Sequence, residues 1–226
     1  RIGEHFYSIC DSSWAVLRVH ESLPMRSKLN AHMGDPQHGF AEGESGFEGV
    51  FHDKTQTPVR FESSEVDLDS PRLYDSPLIY LTGQMEFSLT EAERTNLRQY
   101  LSRGGILLAE ATCGRPTFDL AFRREIKRVL PDADLTRLPA SHPIYRLPNT
   151  INSVTPRPAM AIQLKTKEPV LPVLYGISIS GQLAVIYSPY DLSGGWSLDD
   201  SPYNIGISSP DALALGVNIL SSALVF

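Results

Sequence analysis

The sequence has little of what marks several large classes of protein. With only 2 cysteines in 226 residues, it cannot build a disulfide scaffold or a zinc site with four thiolate ligands. No apolar run approaches the roughly 18 consecutive residues that a membrane-spanning helix needs, so we expect no membrane span. Acidic residues outnumber basic ones, 26 against 20, and the resulting net charge of −6 argues against a nucleic-acid-binding surface.

Motifs for phosphate and metal binding are missing as well. Neither the spacing GxxxxGKS/T nor the spacing GxGxxG occurs, so no phosphate-binding loop is predicted. Three histidines, His32, His38 and His52, lie in or beside a glycine-rich stretch, but their spacing fits no set of metal ligands. We therefore expect no metal ion and no cofactor.

The chain does have enough apolar sequence for a sizeable core, since 42% of its residues are hydrophobic. We predict a single α/β domain over residues 1–226, with a glycine-rich loop or insertion at about 34–57. In front of this loop, the sequence predicts a strand at 5–9 and a short helix at 22–33.

Beyond the glycine-rich stretch, strands and helices alternate regularly. The apolar runs 78–82 and 106–109 are typical of strands that are buried on both faces. Between them, Ser88 and Glu91 form a capping-box pattern that predicts the start of a helix, and Gly104 predicts its end. This order of strand, helix and strand predicts a parallel sheet with right-handed crossovers.

Further elements complete the predicted domain. Pro116 suits the first turn of a second helix, whose basic residues are expected to form a solvated face: Arg123, Arg124, Lys127 and Arg128. The remaining predictions are a strand at 59–66, a hairpin at 177–187 that turns at Ser180 and Gly181, a long loop at 188–208 and a last helix capped by Ser209.

Ligands of such sheets bind beyond the carboxyl ends of the strands, where three loops of this chain are expected to meet. These loops cover residues 83–84, 110–114 and 188–196. The predicted ligand-binding residues in them are Gln84, Glu110, Thr112, Cys113, Asp191 and Trp196. Tyr187 and Tyr190 add aromatic faces beside Asp191, which suits a sugar or a peptide and equally suits a loop packed on its own aromatic rings.

Several short motifs in the second half of the chain occur in a set order. They are TG at 82–83, GG at 104–105, CG-x-x-x-FD-x-x-FR at 113–123, HP at 142–143, YSPYD at 187–191 and GVNIL at 216–220. Together they resemble a bacterial family, the domain of unknown function DUF4159, from about Ser64 to the C-terminus. The resemblance implies a three-layer α/β/α sandwich with a mainly parallel sheet, of the class I glutamine amidotransferase-like, flavodoxin-like type.

The resemblance carries over no catalytic residues, because the family has no established activity. Enzymes of the amidotransferase fold use a cysteine nucleophile on a tight turn between a strand and a helix, and Cys113 lies in such a position before Pro116. A helix N-terminus there would lower the pKa of the thiol. The catalytic candidates are therefore Cys113, Glu110 and His142, but the histidine comes too early in the chain to complete a Cys-His-acid triad.

The sequence thus predicts a non-catalytic module that binds a ligand or a protein. Two alternatives stay open: a hydrolase or amidase that uses Cys113 or a carboxylate pair of Glu110 with Asp119 or Asp191, and a structural subunit of a larger assembly. Whether Cys10 pairs with Cys113 also stays open. The family is frequent in exported bacterial proteins, and this favours an extracytoplasmic location over the cytoplasm.

Overall fold

The computed structural model describes residues 5–9, 13–18, 47–55, 62–197 and 203–225. In this part of the chain, the strands are β1 (His5–Ile9), β2 (Ser13–Arg18), β3 (Glu62–Asp67), β4 (Leu78–Gly83), β5 (Ile106–Ala111), β6 (Thr136–Arg137), β7 (Tyr175–Ile179) and β8 (Gln182–Ser188). The helices are α1 (Phe47–Thr55), α2 (Glu91–Ser102), α3 (Pro116–Val129), α4 (Pro158–Leu164), α5 (Ser193–Trp196) and α6 (Ser209–Val225). No helix among these is both long and apolar enough to cross a membrane.

The strands form one mixed sheet whose centre is parallel. Strands β3, β2, β4, β5 and β8 lie side by side in that order and run in the same direction. Strands β7 and β6 extend the sheet antiparallel beyond β8, and β1 pairs antiparallel with β4. The predicted α/β class with a mainly parallel sheet is confirmed.

Helices cover both faces of this sheet. Alternate residues of a strand point to opposite faces. Tyr187 of β8 points towards α3 and stacks on Phe122, with ring centroids 4.2 Å apart. Tyr80 of β4 points the other way, and its ring centroid lies 5.9 Å from that of Trp196 in α5. Since α5 contacts α6 while α2 contacts α3, the two helix pairs lie on opposite sides of the strands.

The buried apolar runs explain why the central strands form. Leu78, Ile79 and Leu81 of β4 are almost completely buried, as are Leu107 and Leu108 of β5. Each such side chain contributes roughly 1.5–3 kcal/mol through burial. Both strands were predicted from these runs, and the structure extends them to Gly83 and Ala111.

Helix α2 starts later than predicted. Its capping box is formed by Thr90 and Glu93, not by Ser88 and Glu91: the Thr90 hydroxyl accepts the Glu93 N–H at 3.2 Å, and the Glu93 carboxylate accepts the Thr90 N–H at 2.6 Å. The sequence contains both patterns in overlapping positions. The later start is favoured because buried Leu89 donates its N–H to Glu125 of α3 instead of entering the helix.

Helix α6 is capped by Ser208 rather than by the predicted Ser209. The Ser208 hydroxyl lies 2.7 Å from a carboxylate oxygen of Asp211, and the Ser208 carbonyl accepts the Ala212 N–H at 2.8 Å. Ser209 is the first helical residue, and its hydroxyl accepts a hydrogen bond from Arg157 at 3.0 Å. The prediction was wrong by one residue because this distant arginine occupies the Ser209 hydroxyl.

Part of the predicted glycine-rich loop is helical. Helix α1 covers residues 47–55, and Phe51 is buried in the core where α1 contacts α6. Burial of this ring outweighs the low helix propensity of Gly49, which favoured a loop in the sequence. Helix α1 also contains His52. The predicted helix at 22–33, the stretch 34–46 and the residues Cys10, His32 and His38 lie outside the described residues.

Other sequence predictions agree with the structure or need small corrections. The strand at 5–9 is confirmed. The hairpin is confirmed as β7 and β8, with positive φ at both turn residues, 52° at Ser180 and 84° at Gly181. Of the strand predicted at 59–66, the described residues 62–66 lie in β3, and 59–61 lie outside the described part. The predicted loop at 188–208 contains the short helix α5, and residues 198–202 lie outside the described part.

Several basic residues of α3 form ion pairs with buried or neighbouring acids, so this face is not simply solvated as predicted. Buried Glu125 accepts hydrogen bonds from Arg94, Arg124 and Arg128 at 2.9 Å each, so it joins α2 to α3. Burial alone would raise the pKa of Glu125, but the hydrogen bonds and positive charges of the arginines lower it below its ordinary value. Because this ion cluster depends on contacts between helices, the helical periodicity of α3 alone did not predict it.

Candidate functional site

The carboxyl ends of β4, β5 and β8 bring the three predicted loops together. The hydroxyls of Thr82 and Thr112 are hydrogen-bonded, and the Thr117 hydroxyl donates to the Gln84 carbonyl at 2.6 Å. The N–H of Cys113 donates to the carboxylate of Asp191. These contacts connect the ends of β4 and β5 with the loop that follows β8, at the edge of the sheet where ligands of such folds bind.

Glu110 is fully buried near the end of β5 and holds the following loop in place. Its Oε2 accepts the N–H of Leu192 at 2.6 Å and that of Ser193 at 3.1 Å. Its Oε1 accepts the Tyr80 hydroxyl and, at 3.4 Å, the Thr82 hydroxyl. The carboxylate therefore caps the first N–H groups of α5, which otherwise lack acceptors.

Asp191 is buried beside Glu110 and accepts hydrogen bonds from two segments of the chain. Its Oδ2 accepts the Cys113 N–H, and its Oδ1 accepts the Gly194 N–H at 2.7 Å. Arg157 is within electrostatic reach of this carboxylate. The Arg157 guanidinium in turn donates to the Ile207 carbonyl at 3.0 Å. The acid thus ties the turn after β5 to α5 and to the segment that leads into α6.

Asn204 fills the space that two glycines leave beside Asp191. A Cβ atom added to Gly194 would lie 2.1 Å from Asn204 Nδ2, and one added to Gly206 would lie 2.6 Å from Asn204 Oδ1. The side-chain amide hydrogen-bonds to Asp191. Within the described part of the chain, its Oδ1 is buried and has no hydrogen-bond partner. Both glycines are therefore needed for the amide to fit.

Burial makes the charged form of these two acids unfavourable. Burial, together with the nearby charge of Asp191, raises the pKa of Glu110 to about 7, although the hydrogen bonds to the carboxylate act in the opposite direction. Burial likewise raises the pKa of Asp191, against the N–H groups of Cys113 and Gly194. The pair is therefore held together most strongly when it keeps a proton.

This pKa shift predicts a pH dependence of stability. Glu110 has a higher pKa in the folded chain, about 7, than the ordinary value of 4.5, so its contribution is fully present below pH 4.5 and is lost as the pH rises through 7. We expect the wild type to lose free energy of unfolding over this range relative to Glu110→Gln, which cannot titrate. Urea unfolding of both proteins between about pH 5 and pH 8 measures the difference. An identical pH dependence in both proteins would contradict the prediction.

The structure places the catalytic candidates Cys113 and His142 in different surroundings. Cys113 lies in the tight turn after β5 with a φ of 54°, and only 6% of the residue is exposed. His142 precedes a short turn at Pro143–Tyr145, and its Nδ1 accepts the Ile144 N–H at 3.2 Å. Partial burial lowers the pKa of His142. The Nδ1 of His142 is therefore occupied by a hydrogen bond within its own turn.

Most of the predicted ligand-binding side chains are buried. Glu110, Cys113, Asp191 and Trp196 belong to the core of the site, and only Gln84 and Thr112 are partly exposed. Trp196 donates its indole N–H to the Ala212 carbonyl at 2.8 Å, which fixes α5 on α6. The prediction that all six contact a ligand stays a prediction, and the buried members contact protein groups in this structure.

Two of the motifs that carry the family resemblance lie in this site, since Cys113 and Asp191 belong to 113–123 and 187–191. The model of one family, the domain of unknown function DUF4159, matches residues 27–224. The chain belongs to the DUF4159 family. The match begins at residue 27, well before Ser64, from which the sequence motifs predicted the resemblance. No curated protein matches the chain.

In this DUF4159 chain, three residues that build the site could not be predicted from local sequence patterns. Tyr80 was read only as part of an apolar strand, whereas its hydroxyl donates to Glu110. Arg157 and Asn204 lie in segments without a periodic pattern, although both reach Asp191. The pair of glycines at 194 and 206 was the one available signal, since each leaves room for a neighbouring group. Within the described residues, no three His, Cys, Asp or Glu side chains are grouped so as to hold a metal ion.

Proposed function

We propose that this DUF4159 chain is a non-catalytic binding module that takes a ligand or a protein partner at the carboxyl edge of its parallel strands. The observation that supports it most strongly is how Glu110 and Asp191 are used. Between them, the two carboxylates accept the N–H groups of Cys113, Leu192, Ser193 and Gly194. Because their oxygens accept backbone N–H groups, these carboxylates hold loops in place, and we assign them no reaction with a substrate.

The proposal includes a class I glutamine amidotransferase-like sandwich. Its supports are the parallel order of β4, β5 and β8, the helices on both faces and the place of Cys113. A residue with positive φ between a strand and a helix is the backbone arrangement that presents a nucleophile in several α/β enzymes. In this chain, Cys113 keeps that backbone position, but it is buried, and its backbone N–H donates to Asp191.

A cysteine nucleophile needs an accessible thiolate and a base within hydrogen-bond distance. Cys113 is almost fully buried, and Asp191 accepts its backbone N–H. The Nδ1 of His142 accepts a backbone N–H within its own turn. We therefore assign Glu110, Cys113, Asp191 and Trp196 to holding the edge of the sheet. Gln84 and Thr112, which are partly exposed, are the residues that contact the ligand.

A screen of small amino acids, sugars and short peptides by protein NMR tests this proposal. We expect saturable shifts of the amide signals of Gln84 and Thr112 with at least one class of compound. The same compound should be recovered unchanged after prolonged incubation with the protein. Turnover that disappears in Cys113→Ser or Glu110→Gln would contradict the proposal and favour a hydrolase or amidase. So would saturable binding that leaves the Gln84 and Thr112 signals unmoved.

The reactivity of Cys113 gives an independent prediction. Because the thiol is buried, we expect iodoacetamide to label it about a hundredfold more slowly in the native chain than in the urea-unfolded chain. Peptide mass spectrometry separates its labelling from that of Cys10. Fast native labelling, with an apparent pKa well below the ordinary value of about 8.5, would instead indicate an activated nucleophile.

A further inference from the structure

Two tyrosines and two arginines form a partly exposed surface at the end of the sheet, which we call the tyrosine–arginine shelf: Tyr175, Tyr190, Arg123 and Arg137. Tyr175 begins β7 and is paired in register with Arg137, the last residue of β6. Tyr190 follows the carboxyl end of β8, and Arg123 belongs to α3. The shelf therefore adjoins the edge at which the binding function is proposed, on the side of the sheet that α3 covers.

Arg123 is held rigidly in this shelf. Its guanidinium carbon lies 4.3 Å from the ring centroid of Tyr175 and 5.5 Å from that of Tyr187, within the range of cation–π interactions. Its Nε donates to Asp119 at 2.9 Å, and the same carboxylate oxygen accepts the Tyr187 hydroxyl at 2.8 Å. Asp119 thus balances the charge of Arg123 and fixes its direction.

Buried aromatic rings support the shelf from behind. Tyr187 contacts Tyr175 with centroids 6.4 Å apart and stacks on Phe122 at 4.2 Å. Phe122 in turn stacks on Phe118 at 6.3 Å, inside the core under α3. A surface backed by packed rings loses little conformational freedom when it binds a partner, because its side chains are already in place.

The polar ends of the shelf are available to a partner. Within the described part of the chain, neither the Arg137 guanidinium nor the hydroxyls of Tyr175 and Tyr190 have a hydrogen-bond partner. Arg137 is exposed, and both tyrosines are half-buried. Burial raises the pKa of Tyr190, Tyr175 raises it further and Arg137 lowers it, so Tyr175 and Arg137 both lie within electrostatic reach of Tyr190. One cation and two hydroxyl donors therefore lie on the same surface.

We propose that the tyrosine–arginine shelf binds an acidic peptide segment of a partner protein. A carboxylate accepts the paired N–H groups of a guanidinium and a phenol hydroxyl, and the tyrosine rings cover the aliphatic part of an acidic side chain. Tyrosine and arginine are also the residues that most often dominate binding energy at protein interfaces. This inference rests on the proposed function, because it names the partner class that a binding module at this edge would take.

Charge favours a peptide over a nucleic acid. The whole chain carries a net charge of −6, which repels a polyanion with a phosphate at every step. Within the shelf, Asp119 compensates Arg123, so Arg137 supplies the only unbalanced positive charge. A single cation flanked by hydroxyl donors matches one carboxylate side chain better than a row of phosphates.

Fluorescence anisotropy with a labelled peptide that carries one glutamate among alanine and glycine residues tests the proposal on the full chain. We expect saturable binding, weakened about tenfold or more in Arg137→Glu and by a smaller factor in Tyr190→Phe. Arg72→Glu is the matched control, because exposed Arg72 precedes β4 at the opposite end of that strand, and this change should leave binding unaltered. Arg137→Gln repeats the test without reversing the charge, should Arg137→Glu fold poorly.

Three results would overturn the proposal: no saturable binding by the wild type, equal weakening in Arg137→Glu and Arg72→Glu, or displacement of the peptide by inorganic phosphate at concentrations where glutarate has no effect. None of these results would affect the NMR test at Gln84 and Thr112. The proposed binding function would therefore remain supported even without an acidic partner. Cleavage of the glutamate peptide would be different, since it would contradict the non-catalytic function itself.

Discussion

Replacing Glu110 with alanine is expected to lower the free energy of unfolding by about 3–5 kcal/mol. The change removes the acceptor of the Leu192 and Ser193 N–H groups and of the Tyr80 hydroxyl; Leu192 and Tyr80 are buried, and Ser193 is partly buried. It also leaves a cavity beside Thr82, and unfilled space adds to the loss. Urea unfolding near neutral pH measures the effect.

Glu110→Gln is the matched control, because it keeps the size of the side chain. Its amide oxygen can accept the N–H groups of Leu192 and Ser193, while its NH₂ donates to the hydroxyls of Tyr80 and Thr82. It also removes the burden of burying a charge, which raises the pKa of Glu110 in the wild type. We expect the free energy of unfolding of Glu110→Gln to lie within about 1 kcal/mol of the wild type.

The comparison of the two variants bears directly on the proposed function. A loss of less than about 1 kcal/mol in Glu110→Ala would mean that the carboxylate is not needed to hold α5. The acid would then be available for a substrate, and the argument for a non-catalytic site would fail. Equal large losses in both variants would show instead that the negative charge itself holds the loop.

Local patterns were enough to predict the central part of the fold. The runs at 78–82 and 106–109 are apolar because β4 and β5 are buried on both faces, and this can be read from a few residues. The turn at Ser180 and Gly181 is equally local, since both residues adopt positive φ. The family resemblance also came from short motifs, and the match over residues 27–224 confirms it.

The candidate site was only partly predictable, because its key contacts join distant parts of the chain. Asp191 was chosen for its place after a strand, but its bond to the Cys113 N–H spans 78 residues. Its electrostatic interaction with Arg157 and its hydrogen bond with Asn204 have no local signature either. The sequence therefore indicated which polar residues gather at the edge of the sheet, but not that the acids are buried and satisfied by backbone groups.

The same limit explains why the tyrosine–arginine shelf was not predicted. Arg123 and its basic neighbours were assigned to a solvated face from helical spacing alone. Its guanidinium lies over a tyrosine 52 positions further along the chain, a pairing that depends on how α3 packs against β7 and β8. Such contacts depend on how elements pack against one another, and the periodicity of residues within one element does not predict that packing.

Gly114→Ala is expected to destabilise the chain by about 3 kcal/mol or more, for two reasons that a control can separate. Gly114 has a φ of 60°, which strains any residue with a Cβ atom. In addition, the new Cβ would lie 2.7 Å from the Ile205 carbonyl oxygen. That oxygen already accepts the Asp191 N–H at 3.1 Å, so it cannot move away without breaking the bond.

Gly181→Ala isolates the backbone strain. Gly181 has a φ of 84° in the hairpin turn, and a Cβ there meets no atom within 4 Å. This control should cost about 1 kcal/mol, so the excess in Gly114→Ala measures the close approach to Ile205. Because that approach fixes the turn that buries Cys113, we also expect faster iodoacetamide labelling of Cys113 in Gly114→Ala and unchanged labelling in Gly181→Ala. Equal free energies of unfolding for the two variants would contradict this account, since Ile205 would then move away from the new Cβ without a loss of stability.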